Sequence, residues 1–459
     1  MEGGDEYSAR TRRGIGKRPR RAGTNTVGSG RRQHHAATEV QRIPLRGRPL
    51  VTPPSLWRSR DFLRLWVAQS VSETGTQVGL LAVPLLAIEV LHASAGELGL
   101  LGAARSLPFL LFALPAGAML DRMRRRPFMM AADFGRAALL MSVPLAYPLG
   151  VLSLTQLYIV VALVGFFTVF FDVAYQSFLP SLVDRTQLTE ANAKVTATRS
   201  AAEVVGPGAA GILVGAIGAA ATVTVDAVSF LISGLFCRTI GNVEDLAPSA
   251  RRSLRHEIVE GFGFVVRHPI LSRIGACAGL TNLASSMVTV LLPLYMVRSL
   301  RYSPAQVGLV LALAGAGLVA GAITAPYVVR YLGLGPTIVY SAVISGAGLV
   351  LLPFSSATLA WPFLVGGKVL FGLGVPLFNI SQVSLRQHVT PHRLLGRMSA
   401  SMRFLVWSTL SLGSLLAGVL GDSVGLRAAL AVSAVIGALS WLTLLGSQVP
   451  ALRDLPSPA

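Results

Sequence analysis

Residues 117–127 read GAMLDRMRRRP and join two long apolar runs of the chain. Runs of about 20 apolar residues are what a bilayer core requires of a helix, and so dense a group of charges cannot lie in hydrocarbon. This stretch must therefore face water at one side of a membrane. Because further apolar runs of similar length follow along the chain, the sequence predicts a protein that crosses a membrane many times.

The composition excludes an ordinary soluble globular protein. Of 459 residues, 52% are hydrophobic and 13% are charged, whereas about a quarter of the residues of a soluble protein are charged. The net charge of +19 raises the question of nucleic-acid binding, but residues 1–60 alone hold 14 Lys+Arg and 4 Asp+Glu. Positive charge gathered in a tail and in short connections is typical of membrane topology, so we expect no nucleic-acid partner.

Twelve membrane spans can be placed along the chain. Basic residues concentrate in alternate connections, and the positive-inside rule places those connections and both termini in the cytoplasm. An even number of spans agrees with that placement. The predicted spans are 63–90, 96–119, 127–149, 154–178, 192–216, 219–239, 271–297, 304–329, 334–354, 361–383, 395–420 and 426–446.

The predicted fold is an all-α membrane protein with twelve transmembrane helices in two pseudo-symmetric six-helix bundles. The longest internal connection follows the sixth span, and a weak repeat places Arg199 and Arg403 at matching points of two spans. The expected segments are a disordered basic cytoplasmic tail over 1–57, a bundle over 58–240, a cytoplasmic linker over 241–270, a bundle over 271–446 and a short cytoplasmic tail over 447–459.

Two of these segments are predicted to meet the lipid surface. In the linker, Ile258, Phe262, Val265 and Val266 share one helical face, which predicts an interfacial helix on the inner leaflet. The arginines of the tail can contact anionic lipid headgroups.

The charged stretch at 117–127 resembles the G-x-x-x-D-R-x-G-R-R signature of the loop after the second helix in the major facilitator superfamily. It departs from that signature at Arg124, where the family pattern has glycine. The resemblance implies a transporter in which this loop clamps the two halves at the cytoplasmic face in the outward-facing state. The matching residues, a predicted cytoplasmic gate motif, are Gly117, Asp121, Arg122, Arg125 and Arg126.

The fifth span resembles the G-x-x-x-G-P-x-x-G-G pattern of antiporters in the same superfamily. It matches at Gly206, Pro207 and Gly211, whereas Ala202 and Ala210 replace two glycines. Small residues permit close helix packing, and proline bends a helix. Together with the first motif, this pattern favours export by antiport.

Three further stretches resemble the efflux branch that includes bacterial macrolide exporters and the enterobactin exporter. They read LWVAQ at 65–69, FDVAYQSFLP at 171–180 and VDAVSF at 225–230. This resemblance implies a multi-pass protein of the bacterial inner (plasma) membrane that exports small molecules.

Charged side chains inside the spans fall into two groups. Glu73, Glu203 and Asp226 are acids in an apolar setting, where a carboxyl group can load and release a proton, and they are candidates for proton coupling. The alternative is an acid permanently paired with an arginine, for instance Glu73 or Glu203 with Arg105. The second group is predicted to be a gating network of ion pairs near the charged loop, made of Asp133, Arg136 and Asp172.

The first, fourth, seventh and tenth spans line the cavity if the resemblance holds. Apolar and amide side chains on these spans suit a bulky, partly apolar solute. The candidate contacts are Gln69, Gln77, Phe166, Phe170, Asn282, Met287 and Asn379.

Enzymatic and metal-binding functions are not supported by the motifs. The chain has no G-x-x-x-x-G-K-[ST] phosphate-binding loop, and His34, His35, His388 and His392 lack cysteine partners nearby. We therefore expect no cofactor, no metal site and no enzymatic activity.

The sequence thus predicts a proton-coupled antiporter that exports antibiotics or other apolar small molecules by alternating access. One alternative within transport is a siderophore or secondary-metabolite exporter, and the altered fifth-span motif leaves uptake open. An alternative of another class is a non-transporting membrane receptor or scaffold whose basic tail binds a cytoplasmic partner.

Overall fold

The computed structural model describes residues 56–120, 123–184, 186–241, 254–356 and 358–452. Within these ranges, twelve helices are long and apolar enough to cross a membrane, and no strand occurs. The protein is therefore an all-α membrane protein with the predicted number of spans. Most of the basic tail, Asp121, Arg122 and the final residues 453–459 lie outside the described residues.

The first half of the molecule contains six of the spanning helices. Each begins and ends within a few residues of its predicted span, since the apolar runs set the helix lengths. The Ser59 hydroxyl caps the first helix by accepting from Phe62 N at 3.4 Å. Gly218, with a φ of +83°, joins the fifth and sixth helices without a loop. The helices are α1 (Arg60–Glu89), α2 (Ala95–Leu120), α3 (Arg125–Ala146), α4 (Leu154–Leu182), α5 (Leu188–Ile217) and α6 (Ala219–Thr239).

The second half contains the other six spanning helices, preceded by a shorter one in the predicted linker. Its turns use the same chemistry: Gly333 and Gly425 have φ values of +90° and +88°, and Ser303 with Gln306 forms a capping box. The helices are α7 (Leu254–Arg267), α8 (Pro269–Arg298), α9 (Pro304–Leu332), α10 (Leu334–Leu351), α11 (Ala360–Val389), α12 (Leu395–Ser423), α13 (Leu426–Leu439) and the one-turn α14 (Leu442–Leu445).

The two ends of the helix assembly differ in charge. We call the end at which α1, α3, α5, α8, α10 and α12 begin the basic end. Its connections and first helical turns carry Arg58, the group Arg124–Arg126, Arg267, Arg393 and Arg397. The other end, called here the opposite end, carries Arg298, Arg301 and Arg427 in its connections.

The two halves pack together near the opposite end through glycine contacts between α2 and α12 and between α5 and α9. A Cβ added at Gly99 would lie 2.8 Å from the Gly418 Cα, and one added at Gly211 would lie 2.8 Å from the Gly308 Cα. Backbones this close require glycine at the crossing. Further along, Phe109 of α2 stacks on Trp407 of α12 with ring centroids 4.0 Å apart.

Toward the basic end the same helices separate. Met119 of α2 and Phe404 of α12 are 40% and 43% exposed, and a Cβ added at Gly117 would meet no described atom within 4 Å. No helix therefore packs closely against Gly117 among the described residues in this conformation. The space between the halves opens at the basic end.

The linker contains helix α7, whose apolar residues do not share one environment. Val265 is buried in the second half, whereas Phe262 and Val266 are 43% and 54% exposed. Gly261 lies against Arg397 and Ser401 of α12, and this contact turns the face with Val265 inward. The side chain of Ile258, the fourth member of the predicted face, lies outside the described residues.

Candidate substrate and coupling site

Two acids on neighbouring helices share one arginine in the space between the halves. Arg199 Nε lies 3.3 Å from Glu203 Oε1 on α5 and 3.6 Å from Glu73 Oε1 on α1. The Glu73 side chain is 14% exposed, whereas those of Glu203 and Arg199 are 39% and 64% exposed. Charged groups halfway along spanning helices are stable when they face open space inside the protein and one another, as these do.

The packing of α1 on α5 positions this group. Gly206 lies directly on the Gln77 side chain, and Gln77 Nε2 donates to Glu73 Oε1 at 3.1 Å. Nearer the basic end, Trp66 Nε1 donates to Thr198 Oγ1 at 3.2 Å. These two contacts hold Glu73 in register with α5. The pairing partner of both acids is thus Arg199, whereas Arg105, the partner considered from the sequence, lies within electrostatic range of Glu73.

Asp226 is the third predicted coupling acid, and it lies apart from the other two. It is 6% exposed on α6, against Gly75 and Gly79 of α1, where a larger side chain would displace it. Its Oδ1 has no hydrogen-bond partner among the described atoms. Arg105 and Arg136 are the cations whose charges act on it.

The predicted gating network contains one direct ion pair. Asp133 and Arg136 are paired on α3 and are 0% and 4% exposed. Ser233 Oγ donates to Asp133 Oδ2 at 2.7 Å, and the Arg136 guanidinium lies between the rings of Phe171 and Phe230, 4.5 and 4.1 Å from their centroids. Asp172 lies within electrostatic range of Arg136 and Arg199 but forms no salt bridge among the described residues.

The two described arginines of the predicted gate motif bind carbonyl groups of the first half. Arg125 Nη1 donates to the Ser177 carbonyl near the end of α4 at 3.3 Å. Arg126 Nε donates to the Cys237 carbonyl near the end of α6 at 3.1 Å, and Arg126 also bonds the Arg238 carbonyl. Cations at helix C-termini are favourably placed. Asp121 and Arg122 lie outside the described residues.

A cross-half contact at the opposite end was not foreseen from the sequence. Asp422 of α12 accepts hydrogen bonds from the backbone N–H groups of Ala95 and Gly96, at 3.0 and 2.8 Å, and from Ser94 Oγ at 3.3 Å. Arg298 of α8 donates to the carbonyls of His92 and Ala93, at 2.9 and 2.7 Å. We call these two residues and their partners the cross-half latch.

The sequence matches the Major Facilitator Superfamily over residues 65–406, and again over residues 274–458. The chain belongs to this superfamily. It is 28% identical over 412 residues to the multidrug efflux pump Tap of Mycolicibacterium fortuitum, covering 86% of this chain and 96% of that protein. It is 29% identical to Tap of Mycobacterium tuberculosis, with 87% and 95% covered, and 26% identical over 408 residues to the enterobactin exporter EntS of Salmonella typhi, with 86% and 95% covered.

Solved structures share the fold at low sequence identity. The nucleoside transporter NupG has a TM-score of 0.69 at 12% identity, covering 84% of this chain and 98% of that chain. A bacterial homologue of the iron transporter ferroportin has a TM-score of 0.65 in its inward-facing state and 0.56 in its outward-facing state, each at 20% identity with 84% and 98% covered. These structures show the fold, whereas membership of the superfamily makes the protein a transporter and not an enzyme.

In this superfamily member, the antiporter-like motif lies where the halves cross. Gly206 faces α1, whereas the Pro207 carbonyl and Gly211 face Gly308 of α9. The motif therefore contacts both α1, which carries the coupling candidate Glu73, and α9 in the other half. Gly308 was missed because one glycine in a glycine-rich apolar run carries no distinguishing pattern.

The predicted cavity residues have mixed environments. Gln69, Gln77, Phe166, Phe170 and Asn282 are partly exposed and Asn379 is exposed, so these six remain candidates for solute contact. Met287 is a correction: its side chain is 0% exposed in the apolar core of the second half, and a solute cannot reach it in this conformation. The Asn282 amide donates to the Ala278 carbonyl at 2.7 Å.

Proposed function

We propose that this transporter exports apolar small molecules from the cytoplasm in exchange for protons, by alternating access. The observation that carries the proposal is the sharing of Arg199 by Glu73 and Glu203. Arg199 is shared by these two acids, and Arg105 acts on both Glu73 and Asp226, so the three acids outnumber the two arginines and leave an excess negative charge inside the membrane. Such a charge is costly, and a bound proton removes it. Binding of the solute in the same space would compete with that proton.

The direction of export rests on charge and similarity. The positive-inside rule assigns the basic end, and with it both termini, to the cytoplasm of a bacterial plasma membrane. The space between the halves then opens to the cytoplasm, where an exporter collects its solute. Tap and EntS, which the chain resembles over most of its length, carry the names of efflux proteins.

The transport step in this proposal is a rocking of two bundles, residues 58–240 and 271–446, joined by the linker over 241–270. When the cavity faces outward, the basic end would be held closed by the gate motif, made of Gly117, Asp121, Arg122, Arg125 and Arg126. The group made of Asp133, Arg136 and Asp172 would stabilise this closed arrangement of the gate motif. Each proton that enters down the membrane potential contributes about 2.3 kcal/mol per 100 mV to the export of solute.

The proposal is tested in proteoliposomes with an imposed pH gradient and a panel of fluorescent dyes and antibiotics. Wild type should move solute only with the gradient. Glu203→Gln and Glu73→Gln should each reduce gradient-driven flux by at least about tenfold, since the charge that binds the proton is removed. Glu190→Gln is the matched control, because Glu190 is on α5 but pairs with Lys194 at 3.3 Å near the basic end. Gradient-independent flux, unchanged in both cavity variants, would contradict proton coupling.

A second candidate is export of a siderophore or another secondary metabolite. The similarity to EntS over 408 residues favours it. Competition separates the two candidates: a siderophore exporter should show dye flux that is inhibited by the siderophore at micromolar concentration, whereas a multidrug exporter should be inhibited by many unrelated apolar compounds.

A further inference from the structure

Lys368 is a charged residue inside α11 to which the coupling scheme assigns no role. It lies about 12 Å along α11 from its first residue, at the rise of about 1.5 Å per residue. By the same count Arg105 lies about 15 Å along α2, which starts from the same end. The two cations therefore lie at similar depth, one in each half, near the closed end of the cavity.

The polar stripe of α11 faces the interior of the transporter. Lys368 is followed by Asn379, Gln382 and Arg386 at spacings of 11, 14 and 18 residues, which are close to whole numbers of turns. Helix α10 packs on one side of α11, since a Cβ added at Gly367 would lie 2.6 Å from the Gly348 carbonyl oxygen. Helix α9 packs on the other side, since a Cβ added at Gly372 would lie 2.6 Å from the Ala314 carbonyl oxygen.

The interior direction of this stripe is supported by its neighbours. Leu364, one turn from Lys368, is fully buried in the apolar core that also contains Leu291 and Leu294 of α8. Lys368 itself is partly exposed. Its position therefore combines an inward direction with access to open space, which is the environment of a cavity wall.

Among the described residues, the second half offers Lys368 no counter-charge. Between residue 261 and the end of the chain the only acids are Asp422 and Asp454. Asp422 is held in the cross-half latch by α2, and Asp454 lies outside the described residues. Lys368 Nζ lies 5.4 Å from the Phe371 ring centroid, and no carboxylate lies within 4.0 Å of it in the described part of the chain.

The two halves of the cavity thus differ in charge. In the first half, Arg199 pairs with two acids and Arg136 with Asp133, and Arg105 lies within electrostatic range of Asp226 and Glu73. In the second half, a cation is held in the membrane beside an aromatic ring, without a carboxylate from the described residues. A group of this kind is stable when a bound molecule supplies the missing negative charge.

We propose that Lys368 binds an anionic group, such as a carboxylate, of the transported molecule. The accepted solutes are then amphipathic acids, with the anionic group on Lys368 and the aromatic or apolar part against Phe371 and the open cavity wall. This inference rests on the proposed function only in that the cavity is the transport site, and it concerns solute class, not coupling.

The test is equilibrium binding to the purified full-length protein in lipid nanodiscs, with no gradient. The probes are matched pairs of one aromatic acid and its neutral amide, beginning with tritiated 1-naphthaleneacetate and 1-naphthaleneacetamide and continuing to larger ring systems. Wild type should bind the acid of at least one pair more tightly than the amide. Lys368→Met should weaken acid binding by about 10- to 100-fold, the value of a charge-assisted hydrogen bond, and amide binding by less than about twofold.

Two further variants make the result specific. Lys368→Arg keeps the charge and should retain most of the acid preference. Lys194→Met is the same substitution at a lysine on α5 that is paired with Glu190, and it should leave both affinities unchanged. Thermal unfolding of each variant excludes loss of the fold as the cause.

The outcomes separate this inference from the proposed function. Acid preference that depends on Lys368, without gradient-driven flux, would support the binding site and contradict proton-coupled export. Gradient-driven flux with equal binding of acid and amide across the panel, or equal losses for both in Lys368→Met, would overturn the anion site alone. Failure of wild type to bind any acid of the panel would also overturn it.

Discussion

Removal of the charge of Asp422 should shift the transporter from the arrangement that is open at the basic end to one that is open at the opposite end. Helix α2 already has its own cap, since Ser94 N donates to Glu97 Oε2 at 2.7 Å and Glu97 N donates to Ser94 Oγ at 3.2 Å. Asp422 adds two backbone N–H bonds from the other half, at 3.0 and 2.8 Å. Its contribution is therefore to the contact between the halves and not to the folding of α2.

The size of the effect follows from these bonds. A carboxylate at an exposed helix N-terminus contributes about 0.3–1 kcal/mol through the helix dipole, and hydrogen bonds to a charged group contribute more. We expect a loss of about 1 kcal/mol for Asp422→Asn, which keeps an acceptor, and about 2 kcal/mol for Asp422→Ala. These values correspond to population shifts of about 5-fold and 30-fold toward the state in which the opposite end is open.

The assay is electron–electron dipolar spectroscopy in nanodiscs with spin labels at Leu149 and Val424. These residues are 74% and 54% exposed at the opposite end, one in each half. The longer-distance population should grow in the order wild type, Asp422→Asn, Asp422→Ala. Glu97→Gln is the control, since it changes an acid at the same helix terminus without crossing the halves. Equal effects of the Glu97 and Asp422 variants, or none in either, would refute the latch.

Three further predictions test other parts of the structure. Gly308→Val should abolish transport while the protein still folds, because an added Cβ would lie 2.8 Å from the Gly211 Cα and would keep the opposite end from closing; flux and thermal unfolding measured together check this. Arg136→Gln should lower the free energy of unfolding by about 3–5 kcal/mol by leaving Asp133 buried and unpaired, and Asp133→Asn in the same chain should restore part of it, as measured by denaturant titration. His268 Nδ1 accepts hydrogen bonds from the first turn of α8 at 3.3 and 3.4 Å, and burial lowers the pKa of His268. The contribution of His268 to the stability of the fold should therefore be full above its unfolded pKa of about 6.5 and fall as the pH drops through its folded pKa. His268→Asn should flatten this dependence in melting curves at pH 5 and 8.

The spans could be predicted from the sequence because hydrocarbon imposes a length and a polarity on each helix. Even α3, interrupted by Asp133 and Arg136, begins and ends within a few residues of the predicted span. The polar residues within spans were also visible, since charge is rare there. Which of them pair was not visible: Arg199 is the partner of Glu73 because α1 and α5 pack side by side, a fact that spacing along the chain does not carry.

Two kinds of contact escaped prediction for a physical reason. The bonds from Ala95 and Gly96 to Asp422 join positions more than 300 residues apart, and an acid at a helix end looks locally like surface charge. Met287 was assigned to the cavity because a helix that is apolar on all sides gives no indication of which face is lined by solute and which by core. Lys368 could have been singled out from the sequence, because it is a lysine in an apolar span of a half that contains almost no acids.

The most direct test of alternating access is the same spectroscopy on two label pairs at pH 8 and pH 5.5. One pair is Leu149 and Val424 at the opposite end, and the other is Met119 and Phe404 at the basic end. In the proposed exchange a proton enters from outside and leaves inside, so the protonated form should favour the state that is open at the basic end. Lowering the pH should then shorten the first distance and lengthen the second, and the Glu73→Gln, Glu203→Gln double variant should abolish that response. Distances that change in the same direction at both ends, or a pH response that survives in the double variant, would contradict a proton-driven exchange between two faces.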